Sequence, residues 1–182
     1  MTNLPVDLKG PGHAASHGAG EIRIYSAKGV ADERIAELAR TLDAAGLCCR
    51  VDESVEVAVW EKVAFNAALN AIAGLTRLTV GRIGSHLYGV ELARAVADEA
   101  LNGARACGLK VDRARVHAAL AHAFVDHFEH RPSMLQDVLA GRQTEVDHIN
   151  GAIIAEANRL GVASPINWTL HRLVTLLHHP GG

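Results

Sequence analysis

Trp60-Glu61-Lys62-Val63-Ala64-Phe65-Asn66-Ala67-Ala68-Leu69-Asn70 is the stretch on which the fold turns. Lys62, Asn66 and Asn70 recur at i, i+4 and i+8, the spacing that stacks side chains along one face of an α-helix. Almost every position between them is apolar: Val63, Ala64, Phe65, Ala67, Ala68 and Leu69. A helix that is apolar nearly all round is a buried one. A lysine and two asparagines on it need partners, because unpaired burial costs roughly 1–3 kcal/mol per group. Their face therefore lines a polar cavity or meets a polar network. The spacing alone also allows a lysine that snorkels to solvent and asparagines satisfied within a bundle.

Downstream of this stretch the pattern is helical throughout. The first helix is expected over 54–73, a short one over 79–85, and longer ones over 90–107 and 112–129. A short turn follows Ser133, then helices over 143–160 and 165–177. Asp112 is placed to cap a helix start, Pro165 to open one, and Gly108 and Gly161 to end two others. Ser133 and Thr144 are further candidate caps, and Glu145 suits the positive end of a helix. Asn150-Gly151 in mid-helix is unusual, since glycine costs about 1 kcal/mol there; close approach of another group is the usual reason.

Upstream, residues 1–20 are rich in turn formers, and Pro5 interrupts the only candidate strand. Glu21-Ile22-Arg23-Ile24-Tyr25 alternates like a half-buried strand. Asp32 is placed to cap a helix carrying Ile35, Leu38, Ala39 and Leu42, which Gly46 ends. Leu47-Cys48-Cys49-Arg50-Val51 reads as a second strand. So few strands do not form an independent sheet without cover. Gly10-Pro11-Gly12-His13-Ala14-Ala15 formally satisfies G-x-G-x-x-A, but it lacks the strand before and helix after that a dinucleotide loop requires.

Composition narrows the function. The chain has 182 residues, 49% hydrophobic and 4% aromatic, with a formal charge of −2. That offers neither a basic field nor stacking rings for nucleic acid, nor a basic patch for an anionic membrane. No apolar run is long enough to span a membrane and the N-terminus lacks a signal-peptide core, so a cytoplasmic protein is expected. Cys48, Cys49 and Cys107 lack disulfide spacing and read as buried, reduced thiols. His117, His122, His127 and His130 recur at spacings of five, five and three, but only His127 and His130 suit one helical face; His13 and His17 lack a third ligand, and His178 and His179 stand in the tail. No metal site is expected.

Lys62 with Asn66 and Asn70, then Ser133-Met134-Leu135-Gln136-Asp137, then Thr144-Glu145-Val146-Asp147 with Ile149-Asn150-Gly151, resemble the C-terminal half of the ketopantoate reductase (2-dehydropantoate 2-reductase) family. Gly10-Pro11-Gly12-His13 and Gly20-Glu21-Ile22-Arg23 resemble the last strands of that family's nucleotide-binding domain. The resemblance implies a mainly α fold. A helical bundle of the 6-phosphogluconate-dehydrogenase C-terminal type (residues 54–182) would follow a small α/β remnant of a Rossmann-type NADP-binding domain (residues 1–53).

The activity it implies is hydride transfer from NADPH to ketopantoate, giving pantoate for pantothenate synthesis. By position, Lys62 would be the general acid and Glu145 its catalytic partner, holding the substrate hydroxyl. Asn66, Asn70 and Ser133 would bind the substrate's polar groups. The N-terminal half with the pyrophosphate loop is not matched, so NADP(H) is expected to bind the complete enzyme, not this chain alone, and the chain alone is expected to be inactive. A small 2-oxo acid, a second copy of the chain in a homodimer and a separate nucleotide-binding half are the expected partners. The rival expectation is a non-enzymatic helical dimerisation module.

Overall fold

The structure is a computed structural model that describes residues 1–177 apart from positions 5, 17, 19, 27, 28 and 31, with positions 7 and 8 described by backbone alone. The expectations for Pro5, His17 and the tail at His178, His179 and Pro180 lie outside the described residues. The chain divides into two compact units, Met1–Val59 and Trp60–Gly182.

In the first unit, β1 (Val6–Gly10) and β2 (His13–Ser16) form an antiparallel hairpin. Residues 1–20 were read as turn-rich with no intact strand, and the hairpin corrects that reading: a strand begins directly after position 5. Gly12, at φ +73°, makes the tight reversal that brings Gly10 opposite His13. β3 (Ile22–Ile24), α1 (Glu33–Ala44) and β4 (Cys49–Val51) make a β-α-β unit, with β3 and β4 parallel and Ile22 opposite Cys49. Both strands are shorter than their alternation suggested. Asp32 caps α1 as expected, accepting from the Arg34 N–H at 2.9 Å. Cys48 takes φ +45° just before β4, and it is exposed where a buried thiol was expected.

Asp52 organises the entry to the long helix. Its Oδ1 accepts from the Ser54 N–H at 2.9 Å and the Ser54 hydroxyl at 2.6 Å. The hydroxyl bond, assisted by Arg50 and Arg23, holds this carboxyl below the usual range against the opposing effect of burial.

α2 (Val55–Thr76) begins in the first unit and runs into the second. Ala64, Ala67, Ala68, Ala71 and Ala73 are wholly covered, the small side chains allowing close helix approach. The second unit continues with α3 (Val80–Gly84), α4 (Leu87–Ala106), α5 (Arg113–Asp126), α6 (Ser133–Leu139), α7 (Val146–Leu160) and α8 (Pro165–Leu176), and α4 packs against α3, α5, α7 and α8. Leu101, Leu120, Leu135, Ile153 and Val174 are almost completely enclosed. The architecture is mainly helical with a small strand region, as the sequence indicated.

α2 runs on to Thr76 and α4 starts already at Leu87, each three residues beyond its expected bound, and two other boundaries were displaced. α5 ends at Asp126 because the carbonyls of Phe128 and His130 turn to accept from Gly81 and Val80, the otherwise unpaired first amides of α3. A Cβ on Gly81 would lie 2.6 Å from the Phe128 Cα, so this approach requires glycine. α7 begins at Val146, later than expected, and the amides of residues 140–142 turn back to carbonyls of α6.

Candidate functional site

α2 carries Lys62, Asn66 and Asn70 on one i±4 ridge, as their spacing predicted. Burial deepens along it: Lys62 is exposed, Asn66 half-buried and Asn70 buried. The next position on the ridge is Gly74. A Cβ there would lie 3.4 Å from Met134 Cγ and 3.6 Å from Val138 Cγ2, so the ridge ends against α6. The ridge is thus open at its cation and closed at its asparagine end. Glu61, beside Lys62, is turned elsewhere: it accepts from the Asp112 N–H at 2.8 Å and from Arg115 at 2.7 and 2.8 Å, tying α5 to α2.

Ser133 adjoins the Met134 that meets Gly74. It does not cap α6 as expected. Pro132 occupies the cap position, and Ser133 is the exposed first helical residue. Thr144 does not cap α7 either. Glu145 is the cap residue, exposed and without a side-chain cap bond, while Thr144 is buried with its Oγ1 unpartnered among the described residues.

The α6–α7 loop is fixed by a pair the sequence did not reveal. Arg142 donates to Asp137 Oδ1 through Nε at 2.9 Å and Nη2 at 2.7 Å, and its backbone N–H reaches the Asp137 carbonyl at 2.8 Å. Gln136 donates to the Arg131 carbonyl at 2.8 Å and so satisfies backbone at the turn before α6.

A buried polar network joins α4, α7 and α8. Glu99 accepts from the Ile166 and Asn167 N–H groups, both at 2.9 Å, and from Asn167 Nδ2 at 2.8 Å. Asn167 Oδ1 accepts from Asn150 Nδ2 at 3.0 Å. One turn along, the His171 Nε2–H donates to Asp147 Oδ1 at 2.6 Å. The mid-helix Gly151 is explained by the same ring: a Cβ there would sit 3.3 Å from His171 Nε2. Sequence reading missed Glu99, Asn167 and His171. The available signal was an i, i+4 polar pair, Asn167 and His171, on the α8 face that also carries Leu170 and Val174.

A cavity of about 370 Å³ lies beside the start of α7, lined by Gly141, Gln143, Thr144, Val146, Asp147 and Thr175. Its walls are neighbours of Glu145; Lys62, Asn66, Asn70 and Ser133 belong to the ridge and to α6, not to these walls. His122, His127 and His130 have neighbouring rings, at 6.1 and 6.2 Å between centroids, yet no three metal-ligating side chains come together among the described residues. Burial, then the charge of His127, pushes the His130 imidazole below its ordinary value. No described helix is long and apolar enough to cross a membrane.

The described residues of the first unit do not fit a dinucleotide pyrophosphate. Gly10-Pro11-Gly12-His13 turns a hairpin instead of opening a helix, and the α1 N-terminus is occupied by the Asp32 carboxylate with Glu33 following. No hydride-transfer step is therefore assigned to them.

The model of the family described as ketopantoate reductase PanE/ApbA, C-terminal, matches residues 54–178. A 2-dehydropantoate 2-reductase of Pyrobaculum aerophilum is 38% identical over 161 residues, covering 88% of this chain and 55% of that enzyme. The chain thus spans about half the length of such relatives. Among solved structures, a PanE/ApbA family ketopantoate reductase from Ralstonia eutropha superposes with TM-score 0.84 at 30% identity, over 98% of this chain and 58% of its own. A D-mandelate dehydrogenase solved with NADH superposes with TM-score 0.87 at 25% identity, over 97% of this chain and 60% of its own. By these matches the chain belongs to the ketopantoate reductase family and corresponds to its C-terminal half.

Proposed function

We propose that this chain supplies the substrate side of an NADPH-dependent reductase acting on a small 2-oxo acid, ketopantoate in the first instance. The observation that carries the reading is the α2 ridge, on which an exposed cation leads to two progressively buried amides. Reduction of a 2-oxo acid builds negative charge on the former carbonyl oxygen. An ammonium beside that oxygen stabilises the charge and donates the proton. Lys62 takes this role. Asn66 and Asn70, which offer both donors and acceptors, orient the acid's polar groups, and the exposed Ser133 hydroxyl adds a further hydrogen bond. Glu145 accepts from the substrate hydroxyl and sets the charge around Lys62. NADPH, held by residues beyond those described, would supply the hydride. Residues 1–53 are the end of the nucleotide-binding domain, and residues 54–182 the substrate domain.

The test is calorimetric titration of ketopantoate and of pantoate into the chain. Binding is expected, with Lys62→Ala weakening it about tenfold, the loss of one charge-assisted hydrogen bond. A chain that ignores both acids and Lys62→Ala alike would overturn the reading. Self-association without acid binding would instead favour an interaction module. The exposed Trp168, Leu173 and Leu176 on α8 are the feature that such a module would use.

A further inference from the structure

We propose that His171 is a positioning residue for Glu145, acting through Asp147. The inference rests on the reading of Glu145 as a substrate-binding carboxylate. Glu145 stands at the N-cap of α7, where no side chain caps the helix, and Thr144 beside it makes no capping bond. No local side chain therefore fixes where α7 begins, which leaves tertiary contacts to do so. Two bracket Glu145. On the loop side, Asp137 holds Arg142. On the helix side, His171 holds Asp147, two residues after Glu145 and in the first turn.

The chemistry of the second contact points to geometry rather than stability. The Asp147 side chain is 64% exposed, so water already solvates it, and a hydrogen bond to it adds little stability. His171 is buried, and its Nδ1 is enclosed without a partner among the described residues. A leucine, like Leu170 beside it, would fill an apolar helix–helix contact without that unpaired nitrogen. What leucine lacks is the Nε2–H that reaches Asp147. Gly151, at a position where alanine would favour the helix, leaves room for the ring to approach α7. One turn further in, Asn150, Asn167 and Glu99 form a second tie between α7 and α8, so the His171–Asp147 bond sets the outermost turn on an already anchored helix.

The experiment titrates pantoate into the full chain as wild type, His171→Leu, His171→Gln, Glu145→Gln and the His171→Leu/Glu145→Gln double variant, with urea unfolding of each. His171→Leu is expected to weaken pantoate about tenfold without lowering the unfolding midpoint, since small misplacements of a binding group are costly. His171→Gln, whose amide N–H can still reach Asp147, is expected to retain most of the affinity. In the Glu145→Gln background, His171→Leu is expected to have no further effect, because the pair acts as a unit. Wild-type affinity in His171→Leu, or a loss that adds in full to that of Glu145→Gln, overturns the proposal. Full affinity in Glu145→Gln alone, or no pantoate binding by the wild type, instead overturns the reading of Glu145 and takes the proposal with it.

Discussion

Glu99 holds Asn167 twice, by its backbone N–H at 2.9 Å and by its side-chain amide at 2.8 Å, across 68 residues of sequence. The same carboxylate takes the Ile166 N–H, so a residue of α4 serves as the cap of α8. The formal cap residue, Ser164, makes no side-chain cap bond.

Replacing Glu99 by alanine leaves two helix amides and one N–H of the Asn167 side chain without their acceptor in a largely buried setting. A loss of about 3 kcal/mol is expected, the sum of unsatisfied groups less what relaxation recovers. Glu99→Gln keeps one acceptor and is expected to lose about half as much. Urea unfolding monitored by far-ultraviolet circular dichroism measures both.

Gly151→Ala reports on the His171 ring. Alanine favours the helix by about 1 kcal/mol, but its Cβ would crowd a ring that Asp147 holds in place. The net effect is expected to be destabilising by about 1 kcal/mol. With His171→Ala beside it, the obstruction is gone and Gly151→Ala should become stabilising. The same sign in both backgrounds, read from unfolding midpoints, would count against this packing.

The Glu156–Arg159 pair gives a pH signature. The Arg159 hydrogen bonds, then the Cys107 thiol, hold the Glu156 carboxyl down at about 2, below its ordinary 4.5. The folded value lies below the unfolded one, so the contribution to stability is present above about 4.5 and is lost as pH falls towards 2. Arg159→Gln should therefore be less stable than wild type near neutrality and indistinguishable from it near pH 2. A gap in unfolding midpoint that stays constant across that window would contradict the assignment.

The three thiols should separate by reactivity. Cys48 is exposed, Cys49 buried, and Cys107 half-buried with its Sγ–H donating to Glu156 at 3.1 Å. Burial, then Glu156, pushes the Cys107 thiol up, leaving less of the reactive thiolate. Iodoacetamide at mildly alkaline pH should label Cys48 first and Cys107 more slowly. Peptide mass spectrometry after timed quenching shows the order.

What the sequence determined by itself is local. Asp32 and Asp112 cap their helices, Pro165 opens α8, and Gly161 ends α7 at φ +69°, because caps and chain reversals are settled within a few residues. The Lys62–Asn66–Asn70 ridge belongs to the same class, since helical periodicity alone puts those side chains in line. Tertiary structure decided which potential caps were used. Thr144 and Ser133 were plausible from spacing, yet α7 is held by His171 and α8 by Glu99, residues distant in sequence. The ending of α5 and the need for Gly81 likewise depend on where α3 lies. A one-dimensional pattern encodes which groups require partners. The choice among distant partners is made only when packing brings buried donors and acceptors together, since burial imposes the cost that each pairing relieves.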